Sequence, residues 1–190
     1  MNRDYTKSYL VFCADLGFLE SAARKYKKGA LALKNDDYSS CTPSFHLLSS
    51  LVFELFPKIL IGYDVCVKYK ADEQVSEETI REEISNEMKK YNHHLERLYK
   101  KFPDMLKDLN IKDIVEFKNG NVWEYRVKID NKEILIKDIE SIRYGSFAKN
   151  RDIMTYCIDD NIIVDLLNKL EQYIENKSKE VFKILNVISE

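Results

Sequence analysis

The sequence predicts a mainly α fold, an up-and-down bundle of four to five helices in one domain over residues 1–190, with a β-hairpin inserted at about 115–145. Three observations carry this. Apolar residues recur at steps of three and four along most of the chain, the repeat of one helix face. Only five Gly and three Pro interrupt the 190 residues, which leaves little material for loops. One stretch, Trp123-Glu-Tyr-Arg-Val-Lys-Ile129, switches to strict alternation, the repeat of a half-buried strand. A chain of this length can bury one sizeable core without needing a second domain.

The first helix is expected from about Tyr5 to Lys34. Leu16, Leu19, Ala23, Tyr26, Ala30 and Leu33 share a face, and Gly17 and Gly29 are tolerated weak points. Asn35, Asp36, Asp37, Ser39 and Ser40 make a polar connection that ends at Pro43, a good first-turn residue for the second helix. That second helix, Phe45 to Cys66, is the most apolar segment of the chain. His46, Ser50, Glu54 and Lys58 run along it at four-residue steps, with the acid on the favourable N-terminal side of the lysine. Phe45, Leu48, Val52, Leu55, Phe56, Ile59 and Tyr63 fill the opposite arc. So apolar a helix belongs at the centre of a bundle, where its polar stripe must meet partners rather than water. Pro57 is expected to bend the helix or free a carbonyl one turn earlier.

The third helix has the clearest start signal. Ser76 is a natural N-cap, Glu77 and Glu78 put acid in the first turn, and Val75 with Ile80 makes a hydrophobic staple. Ile80, Ile84, Met88, Tyr91, Leu95, Leu98 and Phe102 continue the face until Pro103 stops it. Asn92 is a plausible cap for a second helical piece, so a break is expected near Tyr91-Asn-His-His-Leu95. Beyond Pro103 the pattern changes to the hairpin. A two-residue loop at Asp130-Asn131 pairs Val127 with Ile134 and Tyr125 with Ile136, which gathers the apolar residues on one face; a three-residue loop would scatter them. A lone hairpin is marginal, so it must lie against the helices or pair with another chain. The last helix is expected from Asn161 to Val187, capped by Asp159 or Asp160, with Ile163, Leu166, Leu170, Ile174, Val181, Leu185 and Ile188 facing inward.

Composition excludes several classes. A formal net charge of -2 supplies no global positive field for nucleic acid or anionic membrane. The N-terminal stretch has no uninterrupted apolar run or small-residue cleavage site, so a secretory signal is not expected. The longest apolar run reads as too short to span a bilayer and is broken by Glu54, Pro57 and Lys58. Cys13, Cys41, Cys66 and Cys157 lack the close spacing of a metal site and suit free thiols in a reducing cytoplasm. No phosphate loop, zinc spacing or Ser-His-Asp order is present, so neither metal nor cofactor is implied.

Three signatures then line up: Glu54-Leu-Phe-Pro-Lys-Ile-Leu60 in the second helix, Asn92-His-His-Leu95 in the third, and Arg143-Tyr-Gly145 after the hairpin. Together they resemble the HEPN family (higher eukaryotes and prokaryotes nucleotide-binding), in particular prokaryotic members with ELxxKxLL, GHxL and RYG or RYP. The resemblance covers the chain from about Phe18 onward. It implies a helical bundle, often dimeric, acting as an RNA-cleaving toxin, a phage-defence effector or a nucleic-acid-associated accessory module. Nuclease members carry Arg-x4-6-His, in which His moves protons and Arg holds the phosphate. Here the only histidines are His46, His93 and His94, and no Arg lies five to seven residues before any of them. Lys89 precedes His94 by five, but lysine replaces a bidentate arginine poorly.

Each candidate residue has a structural reading beside the functional one. His93 and Arg143 are the candidate catalytic pair; in the structural reading His93 hydrogen-bonds another helix and Arg143 anchors the insertion. Glu54, Lys58, His46, His94 and Tyr144 form a candidate polar network, with Glu54 or Glu96 as partners for Arg143 and Tyr144. Lys89, Lys90, Arg97, Lys100 and Lys101, interleaved with Tyr91 and Tyr99, are a candidate single-strand-binding patch or simply a solvated helix face. The residues thus lead to a cytoplasmic protein without membrane contact, and the resemblance adds the expectation of a homodimer, non-catalytic or degenerate, binding RNA or a protein in phage defence or a toxin–antitoxin system. The alternatives are a metal-independent endoribonuclease with an atypical site around His93, and a dimerising scaffold.

Overall fold

The computed structural model describes residues 5–34, 42–119, 122–129, 132–137 and 160–186. They form helices α1 (Lys7–Val11), α2 (Gly17–Lys34), α3 (Thr42–Lys68), α4 (Glu77–Lys89), α5 (Leu95–Lys100), α6 (Pro103–Asp108) and α7 (Asp160–Asn186), with strands β1 (Ile111–Asn119), β2 (Val122–Ile129) and β3 (Lys132–Lys137) between α6 and α7. The fold is therefore mainly α with an inserted β element, as the periodicities predict.

The expected first helix is present, but a π turn over Phe12–Leu16 joins α1 to α2. Thr6 caps its start by accepting a hydrogen bond from the Tyr9 amide at 3.2 Å. The π turn holds more residues per turn than an α-helix and so rotates α2 relative to α1. The expected inner face is correspondingly amended. Leu16, Ala23 and Ala30 are buried, Leu19 and Leu33 only partly, while Tyr26 is exposed and Lys27 is buried instead.

Helix α3 is the centre of the bundle and packs against α2, α4, α5 and α7. Phe45, Val52, Phe53, Phe56, Ile59, Ile61 and Tyr63 are all buried. Pro57 sits inside this helix without ending it, and the helix runs on to Lys68. The expectation that the apolar run is too short for a bilayer fails on length: Ser44–Lys68 is long and apolar enough, with 72% of its most apolar window buried in the bundle. A core helix of a globular bundle meets the same description, because it is apolar on nearly every side. Gly62 lets this helix approach the π turn closely, since a Cβ there would lie 2.4 Å from Leu16 Cδ2.

Ser76 caps α4 as expected, its hydroxyl accepting from the Thr79 amide at 3.0 Å. The third helix does break near Asn92, though by a different device. Asn92 adopts left-handed backbone with φ 43°, and His94 rather than Asn92 stands at the start of α5. Asn tolerates that conformation better than other non-glycine residues, and a reversal of this kind ends a helix. Two elements escaped the sequence reading. Pro103 opens α6 rather than merely stopping the helix before it, and Asn110 ends α6 with φ 56°. The sheet then begins at Ile111, ahead of the expected insertion boundary, and has three strands in the order β1-β2-β3.

The register of the second hairpin is the expected one: Val127 faces Ile134 and Tyr125 faces Ile136 across a two-residue connection. Ile114, Tyr125, Val127, Ile134 and Ile136 are buried on one face of the sheet. That face lies against the helices, through contacts of β1 with α5 and α6 and of β3 with α3. The same chain thus covers the sheet, and no partner strand is needed for that purpose. In α7 every expected inward residue from Ile163 to Leu185 is buried, and Leu167 joins them. Ile188, Asp159, Arg143, Tyr144, Cys41 and Cys157 lie outside the described residues.

Candidate functional site

The break at Asn92 determines the site, because it lets two consecutive histidines diverge. On a continuous helix only one of them would face the core. With the backbone reversed before them, His93 reaches α3 and His94 reaches the sheet. His93 Nδ1 lies 3.0 Å from Glu54 Oε2, and His94 Nδ1 lies 2.8 Å from Glu116 Oε1. The Tyr125 hydroxyl donates to the His93 carbonyl at 2.6 Å, so β2 holds the turn in place. Glu116 itself is positioned by its own amide, which donates to Glu96 Oε2 at 2.7 Å.

Glu54 is the pivot. Its side chain is only 9% exposed, and it accepts from the Lys58 ammonium one turn along α3 as well as from His93. A buried carboxylate needs such partners, because leaving it unpaired costs several kcal/mol or neutralises it. The two imidazoles are more open, with side chains 40% and 37% exposed. A carboxylate only accepts, so Nδ1 carries the hydrogen in each ring. In the neutral His93 ring Nε2 is then the acceptor, an arrangement able to take a proton or a donor from a ligand.

His46, expected in the same stripe, is buried near the start of α3, edge-on to Phe45 with ring centroids 5.2 Å apart. The structure thus brings Glu54, Lys58, His93 and His94 together around one joint and leaves His46 two turns away along the helix. Of the basic residues, Lys90 pairs with Glu87, Lys100 with Glu96 at 2.7 Å, and Lys101 with Asp64 at 3.8 Å. Lys89 and Arg97 have no ion pair among the described residues. Lys100, and next the Glu116 amide, hold the Glu96 carboxyl below the ordinary carboxylate range. The helix break also divides the patch, since Lys89 and Lys90 end α4 while Arg97 and Lys100 belong to α5.

Sequence reasoning missed a second polar network. Arg24 donates to Glu20 and Glu171, both at 2.7 Å, Lys27 pairs with Glu171, and the Tyr63 hydroxyl donates to Glu20 at 2.9 Å. It ties α2, α3 and α7 together and explains why Lys27 can be buried. Burial, helped by the neighbouring Glu20, pushes the Tyr63 phenol up and keeps it protonated. The Glu20 and Arg24 spacing of four was a visible signal, but only the fold reveals Glu171 as the third member. A cleft of about 400 Å³ also opens between α3, the α5–α6 joint and α7, lined in part by Asp64, Lys101, Phe102, Tyr173 and Lys177. Crowding by its wall pushes the Asp64 carboxyl up, against the pull of Lys101.

Among the described residues no three His, Cys, Asp or Glu side chains are grouped so as to hold a metal ion. Compared with protein-family models, with curated proteins and with solved structures, the chain finds no match.

Proposed function

We propose that this chain is a non-catalytic, HEPN-like binding module whose partner is a protein, of the kind that serves phage defence or a toxin–antitoxin system. The observation that carries this reading is charge pairing. Glu54 is enclosed by Lys58 and His93, and three of the five basic residues on α4, α5 and their flank already face carboxylates of the same chain. A binder of nucleic acid gains affinity by releasing counterions with unpaired Lys and Arg, and little of that charge is left here. The absence of an Arg-x4-6-His pair agrees with the lack of catalysis.

The test is a gel shift with single-stranded RNA at low and at physiological salt, with a parallel incubation of the protein with total RNA. No retention at physiological salt and no cleavage are the expected results. Retention at physiological salt would replace the protein partner by RNA.

One observation favours a second reading, that of a metal-independent endoribonuclease. His93 is held by Glu54 with Nε2 as its acceptor, and a general base needs such a fixed ring. Cleavage of total RNA that disappears in His93→Ala would establish that reading instead.

A further inference from the structure

The cleft of about 400 Å³ between α3, the α5–α6 joint and α7 belongs to neither polar network, and neither Glu54, Lys58, His93 nor His94 lines it. Its walls follow from helix period. Leu60, Tyr63, Asp64 and Val67 recur at steps of three and four on α3, and Tyr173, Lys177, Val181 and Ile184 do so on α7, so each helix turns one face to the space. Pro103 opens α6 directly behind α5, and that joint supplies Lys101 and Phe102 as the third wall. Sites for small molecules have roughly 300–1,000 Å³, mostly apolar walls and a few convergent polar groups. This cleft meets all three conditions.

The charges in the cleft do not balance. Asp64, Asp104 and Glu180 stand against Lys101 and Lys177. Lys177 is taken by Glu180 at 2.8 Å, and Asp104 has no ion pair among the described residues. Lys101 lies 3.8 Å from Asp64, beyond hydrogen-bonding distance, and the Asp64 side chain is still 63% exposed and open to a ligand. Burial of its inner side pushes the Asp64 carboxyl up although Lys101 and Lys177 pull it down, so its charge is poorly served. Burial also pushes the Tyr173 phenol up, with Asp104, Asp108 and Glu180 adding to it against Lys177. Finally, the Lys101 ammonium lies 5.5 Å from the centre of the Phe102 ring, within reach of its electron-rich face. A cation between a carboxylate and an aromatic ring is thus already present here, held loosely by the chain itself.

We propose that this cleft binds a small organic cation, an ammonium group carried on an apolar body. The ammonium takes the place of Lys101 between the Asp64 carboxylate and the Phe102 ring, and the body lies on Leu60, Val67, Val181 and Ile184. Lys101 yields readily, because a long, solvent-exposed ion pair contributes little and its flexible stem can return the charge to water. An anion fits worse: it would face Asp64 and Asp104 and have to draw Lys177 away from Glu180. A neutral apolar molecule would leave Asp64 crowded and no better paired than before. The site goes beyond the partner-binding reading and holds whether the macromolecular partner is a protein or RNA.

The experiment titrates the full chain at neutral pH with three probes that share one ring system: tryptamine, a cation; tryptophol, neutral; and indolepropionate, an anion. Calorimetry measures affinity, and saturation-transfer NMR locates the probe. Tryptamine should saturate at low millimolar concentration or below, with transfer from Phe102 and Tyr173, and the other two should bind at least about 10-fold more weakly, as for loss of a charge-assisted contact. Asp64→Asn should weaken tryptamine about 10-fold and bring it level with tryptophol. Lys101→Met keeps the apolar stem and removes the competing cation, so it should tighten tryptamine about threefold or more. Both positions are at the surface, and circular dichroism verifies that each variant is folded. The opposite sign at Lys101 would mean that the lysine itself holds the ligand and would overturn the proposal. So would tryptamine that fails to saturate, indolepropionate that binds as tightly as tryptamine, or an Asp64→Asn variant that binds tryptamine unchanged.

Discussion

Substituting Glu54 by Gln tests whether the carboxylate at the α3 joint is a structural pivot. The change preserves shape but removes the charge. It also turns an amide hydrogen toward one of two donors, the Lys58 ammonium or the His93 Nδ1–H. Lys58 is left with its side chain only 16% exposed and no counter-charge from Glu54. Breaking a buried pair in this way costs about 3–5 kcal/mol, and the half-open His93 end of the network argues for the lower figure, about 3. For a chain of this size that lowers the melting temperature by about 6–12 °C. Adding Lys58→Met removes the stranded cation, so the double variant should recover most of the loss and lie within about 1 kcal/mol of wild type. Urea unfolding followed by circular dichroism on all four proteins gives the cycle. A cost below about 1 kcal/mol for Glu54→Gln would refute the pivot, as would a double variant as costly as the two single losses together. A variant that is more stable than wild type but loses RNA cleavage would instead identify Glu54 as a strained functional group.

Other consequences of the packing are equally open to measurement. Gly62→Ala forces a Cβ to within 2.4 Å of Leu16 Cδ2, and overpacking of about 1–3 kcal/mol should outweigh the ~1 kcal/mol helix preference of alanine; a rise in melting temperature would contradict the close approach. Tyr99 is buried and its hydroxyl has no hydrogen-bond partner among the described residues, so Tyr99→Phe should stabilise by up to about 1 kcal/mol in urea unfolding rather than destabilise. The Glu96 carboxyl is held low by Lys100 and the Glu116 amide. A depressed folded value contributes stability above the unfolded one, and that contribution is lost as pH falls through the folded value. Hydrogen exchange at the Glu116 amide should therefore keep its protection through the ordinary glutamate range and lose it only at more acid pH, beyond the intrinsic pH dependence of exchange; protection undiminished down to acid unfolding would show that the contact does not hold β1. Burial pushes the Cys66 thiol up to about 12, so a maleimide should label exposed Cys13 at neutral pH and reach Cys66 only on unfolding.

Sequence by itself determined the elements with strong, local signals. The central apolar helix, the Ser76 cap, the inward face of α7 and the hairpin register across Asp130-Asn131 all follow from periodicity and turn chemistry, which act between residues close in the chain. Even the missed strand β1 had such a signal, since Gly120-Asn121, the two residues between β1 and β2, is a sequence pair that favours hairpins. What only the tertiary structure decided depends on distant partners. Spacing singled out Glu54 and the NHHL resemblance singled out His93, but their meeting required Asn92 to reverse the backbone so that residues 39 positions apart could touch. The same holds for His94 with Glu116 and for Arg24 and Lys27 with Glu171. Lys27 took the buried place expected of Tyr26 because a π turn and a carboxylate on another helix outweighed hydrophobic period. Periodicity states which face of a helix turns inward. It does not state which polar group waits there, and that group decides whether a charge can be buried.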